Sequence, residues 1–254
     1  MPAPTNSDAK DVHPNLRPDP ARVHRWRDDV EHLRDEIMTL VMFQDDFAKF
    51  ERIIRGNTRI IRAASPFPVR VKQWYIDSQV MRIRRILEGK TERNDVRSLR
   101  LLLEDMRRAC AAFTRNSIEE LFDAEGAPDY NAEMRDFLVS SMWSNVGDVV
   151  RNEDRLYAKQ IKGHLTALEE ASRGVVNYAD KIVAHDTVTG VADADRPTFT
   201  EIAACIDVIE EIAKHYIAAL TGAGYSSLLP VAQYDEFDVF RFAWLPGDIE
   251  NGRA

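Results

Sequence analysis

Four residues with acid–base or phosphate-binding chemistry, Asp180, Lys181, His185 and Asp186, fall within one short stretch of the 254-residue chain. An imidazole such as that of His185 takes or gives a proton near neutral pH. Lys181 lies four residues earlier, on the same side if the stretch is helical, and its ammonium can stabilise an anionic phosphate. Asp180 or Asp186 can orient the ring. The same residues also fit an ordinary helix C-terminus, where a histidine interacts favourably with the helix dipole and the lysine is a solvated charge.

The element that must position them runs from Leu156 to Asp186. Tyr157, Ile161, His164, Leu168, Ala171, Val175, Tyr178, Ile182 and His185 follow one another at intervals of four and three. That spacing predicts a single helix with one apolar face. Lys159, Lys162, Glu169, Glu170, Arg173 and Asp180 fall between them and suit its wet side. His164, on the apolar stripe, reads as a histidine at the edge of the core.

Hydrophobic residues make up 44% of the chain and charged residues 30%, enough apolar material for a packed core. No window approaches the uninterrupted apolar length of a membrane-crossing helix. The first twenty residues have no apolar signal segment. Cys110 and Cys205 sit in apolar helical contexts, which suggests a reducing, cytoplasmic setting and no disulfide framework. No Gly-rich phosphate loop, GxSxG, HExxH or CxxC occurs, so the expectation is no cofactor and no metal.

The net charge of −8 is unevenly spread. Glu51 to Arg115 holds 16 Lys and Arg against 7 Asp and Glu, or +9, leaving −17 for the remainder. Such a segment attracts phosphates, or pairs with acidic helices elsewhere in the fold.

Residues 1–19, rich in Pro and polar side chains, read as a disordered arm. A helix is expected over about 20–55, ended by Gly56-Asn57, and a short one before Ser65-Pro66-Phe67-Pro68. The next, about 69–89, buries Ile76, Val80, Ile83 and Leu87, with Arg82 and Arg85 on one flank. Asp95 or Ser98 can cap a leucine-rich helix, residues 116–131 read as irregular, and a short helix comes next over about 131–145. Thr198 and Glu201 form a capping box for a helix ending at Gly222. The predicted fold is all-α, an antiparallel helical bundle over 20–221 with a long central helix. Residues 222–254, with Phe240, Phe242 and Trp244 alternating, are expected to dock on it as an extended aromatic arm.

At YADKIVAHD the chain resembles the HEPN superfamily, and within it the abortive-infection, AbiU-type branch. QWYIDSQVMRIRRILEG resembles that branch's helix with a Trp, an Asp and an Arg-x-x-acidic ending, here Arg85 to Glu88. SLRLLLEDM resembles its leucine-rich helix, and PTFTEIAACIDVIEEIAKHY the helix after the histidine. The likeness covers about residues 20–245. It implies a HEPN-like helical bundle, commonly a homodimer, and in many members a metal-independent ribonuclease of phage defence or a toxin–antitoxin system.

The family motif places an arginine a few residues before the histidine. His185, Asp180, Lys181 and Ala184 match, but the arginine position falls on Ala179. The resemblance therefore implies Asp180, Lys181 and His185 as catalytic residues. The role of the missing arginine must fall to the Lys181 ammonium, or to a guanidinium from another helix, such as Arg82 or Arg85, as phosphate-binding residues. If it does not, the chain is an inactive helical module that binds a nucleotide or a partner protein such as an antitoxin. RNA is the expected partner of the active form, and no membrane is expected. Ala179, beside the stripe, is expected to accept an arginine whose side chain snorkels outward.

Overall fold

The structure, a computed structural model, describes residues 19–62, 65–89, 96–123, 130–145, 158–183 and 196–241. The chain forms an all-α helical bundle, with no β-strand among the described residues. α1 (Pro20–Gly56) is the longest element, and α8 (Phe199–Thr221) packs along it. Asp19 caps α1 by accepting the Arg22 N–H at 3.1 Å, with Pro20 at the first helical position. α1 buries Val23, Trp26, Val30, Leu33, Ile37 and Leu40 at helical spacing, as the sequence predicts. The Trp26 indole N–H donates to Asp105 at 2.9 Å, so the core's largest side chain keeps its one polar group satisfied.

A short α2 (Thr58–Arg62) leads to α3 (Phe67–Ile86), which lies on α1 and buries Gln79, Val80, Ile83 and Ile86. The buried Gln79 amide donates to the Leu40 carbonyl of α1 at 3.0 Å. α4 (Leu99–Arg108) starts at Ser98, whose Oγ accepts the Leu101 N–H at 3.1 Å and donates to the Glu88 carbonyl at 2.6 Å. Asp95, the alternative cap, lies outside the described residues.

Residues 116–131 are not irregular throughout. α5 (Arg115–Leu121) occupies the start of that stretch and buries Ile118 and Leu121. Thr114 opens it by a reciprocal bond with Ser117, a capping box built with serine in place of the usual acid. α6 (Ala132–Asn145) then packs on α5 and α8.

α7 (Ala158–Tyr178) is central: α8, α4 and α3 all pack on it. Its inward residues Ile161, Leu168, Val175 and Tyr178 are each buried. The helix does not run on in α geometry to residue 186. At Ala179 it widens into a π turn, Ala179–Val183. α8 opens on the predicted capping box: Thr198 Oγ1 accepts the Glu201 N–H at 3.2 Å, and the Glu201 carboxylate accepts the Thr198 N–H at 2.7 Å. It ends at Gly222, in the left-handed region at φ 74°.

Beyond Gly222 the chain is non-helical until a 3₁₀ turn, Glu236–Arg241, in place of a fully extended arm. Leu228 is buried in the core, and Lys49 of α1 stands 5.8 Å from the Phe237 ring. Phe240 stacks near Phe237, at 5.7 Å between ring centres. Phe242 and Trp244 lie outside the described residues.

Candidate active site at the end of α7

The geometry of this site begins with the π turn. A π turn holds one residue more than an α turn needs, so it rotates the residues beyond it relative to the regular helical register. Ala179, its first residue, lies four after buried Val175 and directly after buried Tyr178, and is fully in the core at 0% exposure. Asp180 and Lys181 are left exposed.

Asp180 meets Arg84 of α3. The Arg84 Nε donates to Asp180 Oδ1 at 2.5 Å, linking positions 96 apart in the sequence. The bond and the carboxylate's charge raise the guanidinium's pKa further, so it remains a permanent cation. The contact uses only the Nε side. Among the described residues the terminal amino groups have no hydrogen-bond partner, although the Glu88 charge also acts on the guanidinium.

The two arginines expected to serve the site are placed elsewhere. Arg82 lies over the Phe43 ring of α1, 4.8 Å from its centre, a cation–π contact that binds α3 to α1. Arg85 pairs with Glu36, also on α1. Arg84, between them in sequence, faces the α7 end. A helix advances about 100° per residue, so neighbouring positions face different partners. His185 lies outside the described residues, two positions beyond the π turn's last residue.

Lys181 lines a groove of about 580 Å³ between the end of α7 and the start of α8, together with Asn177, Tyr178, Arg196, Thr198 and Glu201. The Glu201 carboxyl is held below its usual range by the Thr198 backbone and hydroxyl hydrogen bonds. It therefore occupies the anion-attracting helix N-terminus itself. A phosphate entering this groove would be drawn to the Lys181 and Arg196 side.

On the opposite flank of α7, a groove of about 600 Å³ runs between α7 and α4. Arg100, Arg107, Arg108 and Arg173 line it over an apolar floor that includes Leu165 and Leu168. Arg100 and Arg108 both bond Glu104, at 3.1 and 3.2 Å. Arg107 and Arg173 have no ion-pair partner among the described residues. Asn177 borders both grooves.

His164 is the core-edge residue its place on the stripe suggested. Its Nδ1 is 2.8 Å from the Tyr216 hydroxyl of α8, and its ring lies edge-on to His215. Burial, then the charge of His215, lowers its pKa. Among the described residues, no group of three or more His, Cys, Asp or Glu is arranged to hold a metal ion. No described helix is long and apolar enough to cross a membrane.

No family model, no curated protein and no solved structure matches this chain. What the fold defines directly is an all-α bundle whose central helix ends in a charged π turn.

Proposed function

We propose that the chain is a HEPN-like endoribonuclease of a prokaryotic defence or toxin–antitoxin system, acting without a metal and as a homodimer. The observation that carries the reading is the Arg84–Asp180 pair at 2.5 Å. The resemblance requires a guanidinium beside Asp180-Lys181, where the sequence has Ala179. α3 supplies one from the side, and Asp180 fixes its orientation. In this reading Arg84 and Lys181 hold the scissile phosphate. His185 takes the proton of the ribose 2′-hydroxyl, or gives one to the leaving 5′-oxygen. The 2′-oxygen bonds to phosphorus as the bond to the 5′-oxygen breaks.

The test is incubation of the pure protein with total RNA in EDTA. Wild type is expected to cut, and His185→Ala to leave RNA intact. Arg84→Ala should lose roughly 10²–10³-fold in rate, as removing one charged donor from a transition state does. Arg82→Ala and Arg85→Ala should stay near wild type. An intact RNA pool with folded wild-type protein would sink the nuclease reading.

One observation favours a second reading, a catalytically silent module that binds a nucleotide. The α4–α7 groove sets Arg107 and Arg173, beside the Glu104-paired Arg100 and Arg108, over an apolar floor, a combination that suits a phosphate and a base. Calorimetric titration with a nucleoside triphosphate, comparing wild type with Arg107→Ala/Arg173→Ala, tests it. Heat of binding retained in the double variant would count against that site.

A further inference from the structure

The surface where α1 ends, α2 turns and α3 begins has a different chemistry from the rest of this acidic molecule. Arg52 to Ile76 contains six cations and no Asp or Glu, in a chain of net charge −8. Arg52, Arg55, Arg62 and Arg70 are exposed. At the start of α3 two large rings stand in solvent, Phe67 at 55% and Trp74 at 60% exposure. They meet edge to face, 6.4 Å between centres and 82° between planes. The bundle does not use them, since α3 packs through Val80, Ile83 and Ile86.

Their arrangement is ordered. Phe67, Arg70 and Trp74 stand at i, i+3 and i+7, so the ring pair and a cation share one face of α3. Glu51 accepts from both Arg55 at 3.0 Å and Lys72 at 2.8 Å, which ties the end of α1 to the start of α3. Arg52, Arg62 and Arg70 have no ion-pair partner among the described residues.

We propose that this surface binds single-stranded nucleic acid, with unpaired bases stacked on Phe67 and Trp74 and phosphates held by Arg62 and Arg70. An exposed ring pair beside cations suits a strand whose bases stack while its phosphates are neutralised, and stacking needs bases free of a duplex. A second copy of the chain does not fit. A two-fold contact sets the patch against itself, and here that opposes cation to cation, with the one acid at its edge, Glu51, already shared by Arg55 and Lys72. An anionic membrane fits poorly as well. Sinking both rings into acyl chains drags Arg70, on the same face between them, to the same depth. Trp74 and Arg84 are ten residues apart on α3, about 15 Å, so a strand held at the rings extends toward the α7 end. The surface stands whether or not that end cuts RNA.

Binding is measured by fluorescence anisotropy of labelled oligouridylate and oligodeoxythymidylate with full-length His185→Ala protein, so that cleavage plays no part. Binding to either oligomer is expected, with preference between them reporting RNA or DNA. Phe67→Ala/Trp74→Ala should weaken it roughly ten- to hundred-fold with an unchanged melting temperature. Arg62→Glu/Arg70→Glu should weaken it and flatten its salt dependence, by about 0.7 in log–log slope for each phosphate no longer neutralised. Four results would overturn the proposal. They are no binding to either oligomer, equal affinity in the double-ring variant, binding only to phosphatidylserine vesicles, or a large fall in melting temperature in the double-ring variant, which would mean the chain itself covers the rings. A wild type that cuts RNA, with a double-ring variant that binds as tightly, would remove this surface and leave the α7 site standing. A wild type that does not cut, with oligomer binding that depends on the rings, would do the reverse.

Discussion

Ala179 carries most of the contrast between what the residues suggest and what the fold does with them. Its position beside the apolar stripe makes an arginine there look tolerable, because a flank side chain can reach water. In the structure its Cβ is enclosed in the core with Tyr178 and Val175. Ala179→Arg is therefore expected to destabilise, by at least about 3 kcal/mol, since overpacking and burial of a charge add. Urea unfolding measures this, and an unchanged midpoint would show that the side chain escapes. His164 permits a second prediction at this scale. Its folded pKa is depressed, chiefly by burial, so the unfolded chain takes the proton first. Its neutral form's contribution is complete above the usual histidine value of about 6.5 and is lost as pH falls below it. Melting temperature should drop on acidification through that window, and His164→Gln should flatten the drop. Cys205 is equally testable. Burial pushes its thiol up to about 12, so it should resist alkylation at neutral pH until the protein unfolds.

At the scale of elements, most of the helices were legible because their apolar residues recur at helical spacing and their ends carry recognisable signals. The Ser98 cap, the Thr198–Glu201 capping box and Gly222 are examples. α5 was not legible, because its capping box substitutes Ser117 for the acid that marks such boxes and its length is only seven residues. The π turn left no sequence signal either, since an i→i+5 turn uses the same residue types as the α turn before it. The partner of Asp180 stayed hidden for a related reason. Which of Arg82, Arg84 and Arg85 faces α7 depends on the rotation of α3 about its own axis, and spacing along one helix does not fix rotation against another. Gly222 gives the prediction here. An added Cβ would lie 3.3 Å from Met142 Cγ of α6, on a backbone already at φ 74°. Gly222→Ala should cost about 1–2 kcal/mol, read as a lower midpoint in chemical denaturation with activity or binding unaltered.

For the whole molecule, the uneven charge resolves into two populations. Part of the basic segment is absorbed by ion pairs with other elements: Arg84 with Asp180, Arg97 with Asp29 at 3.1 Å, and Arg115 with Asp136 at 3.2 Å. These pairs are partly exposed, so each is worth up to about 1 kcal/mol. The rest, around Arg62 and Arg70, stays at the surface. Self-association needs a different basis from the length of the α7 stripe. That stripe reads in the sequence as too long for shorter helices to cover; of its described residues, Ile161, Leu168, Val175 and Tyr178 are buried where α3, α4 and α8 pack on α7. A homodimer is expected on the HEPN-like reading alone, and light scattering at micromolar concentration decides it. A clean monomer would count against that reading.

The π turn also bears on how this chain tolerates changes of length. An α-helix that loses a residue must rotate everything beyond by about 100°, and in the body of α7 that would pull Ile161, Leu168 or Val175 out of the core. Between Ala179 and Val183 the helix already holds one residue in surplus. A single deletion there lets the backbone close into an ordinary α turn, so it is the gentlest place in α7 to shorten the chain. Shortening after Asp180 would also rotate everything beyond the turn relative to the Arg84–Asp180 pair. The surplus residue acts as a length reserve, and the alignment of the charged turn depends on keeping it.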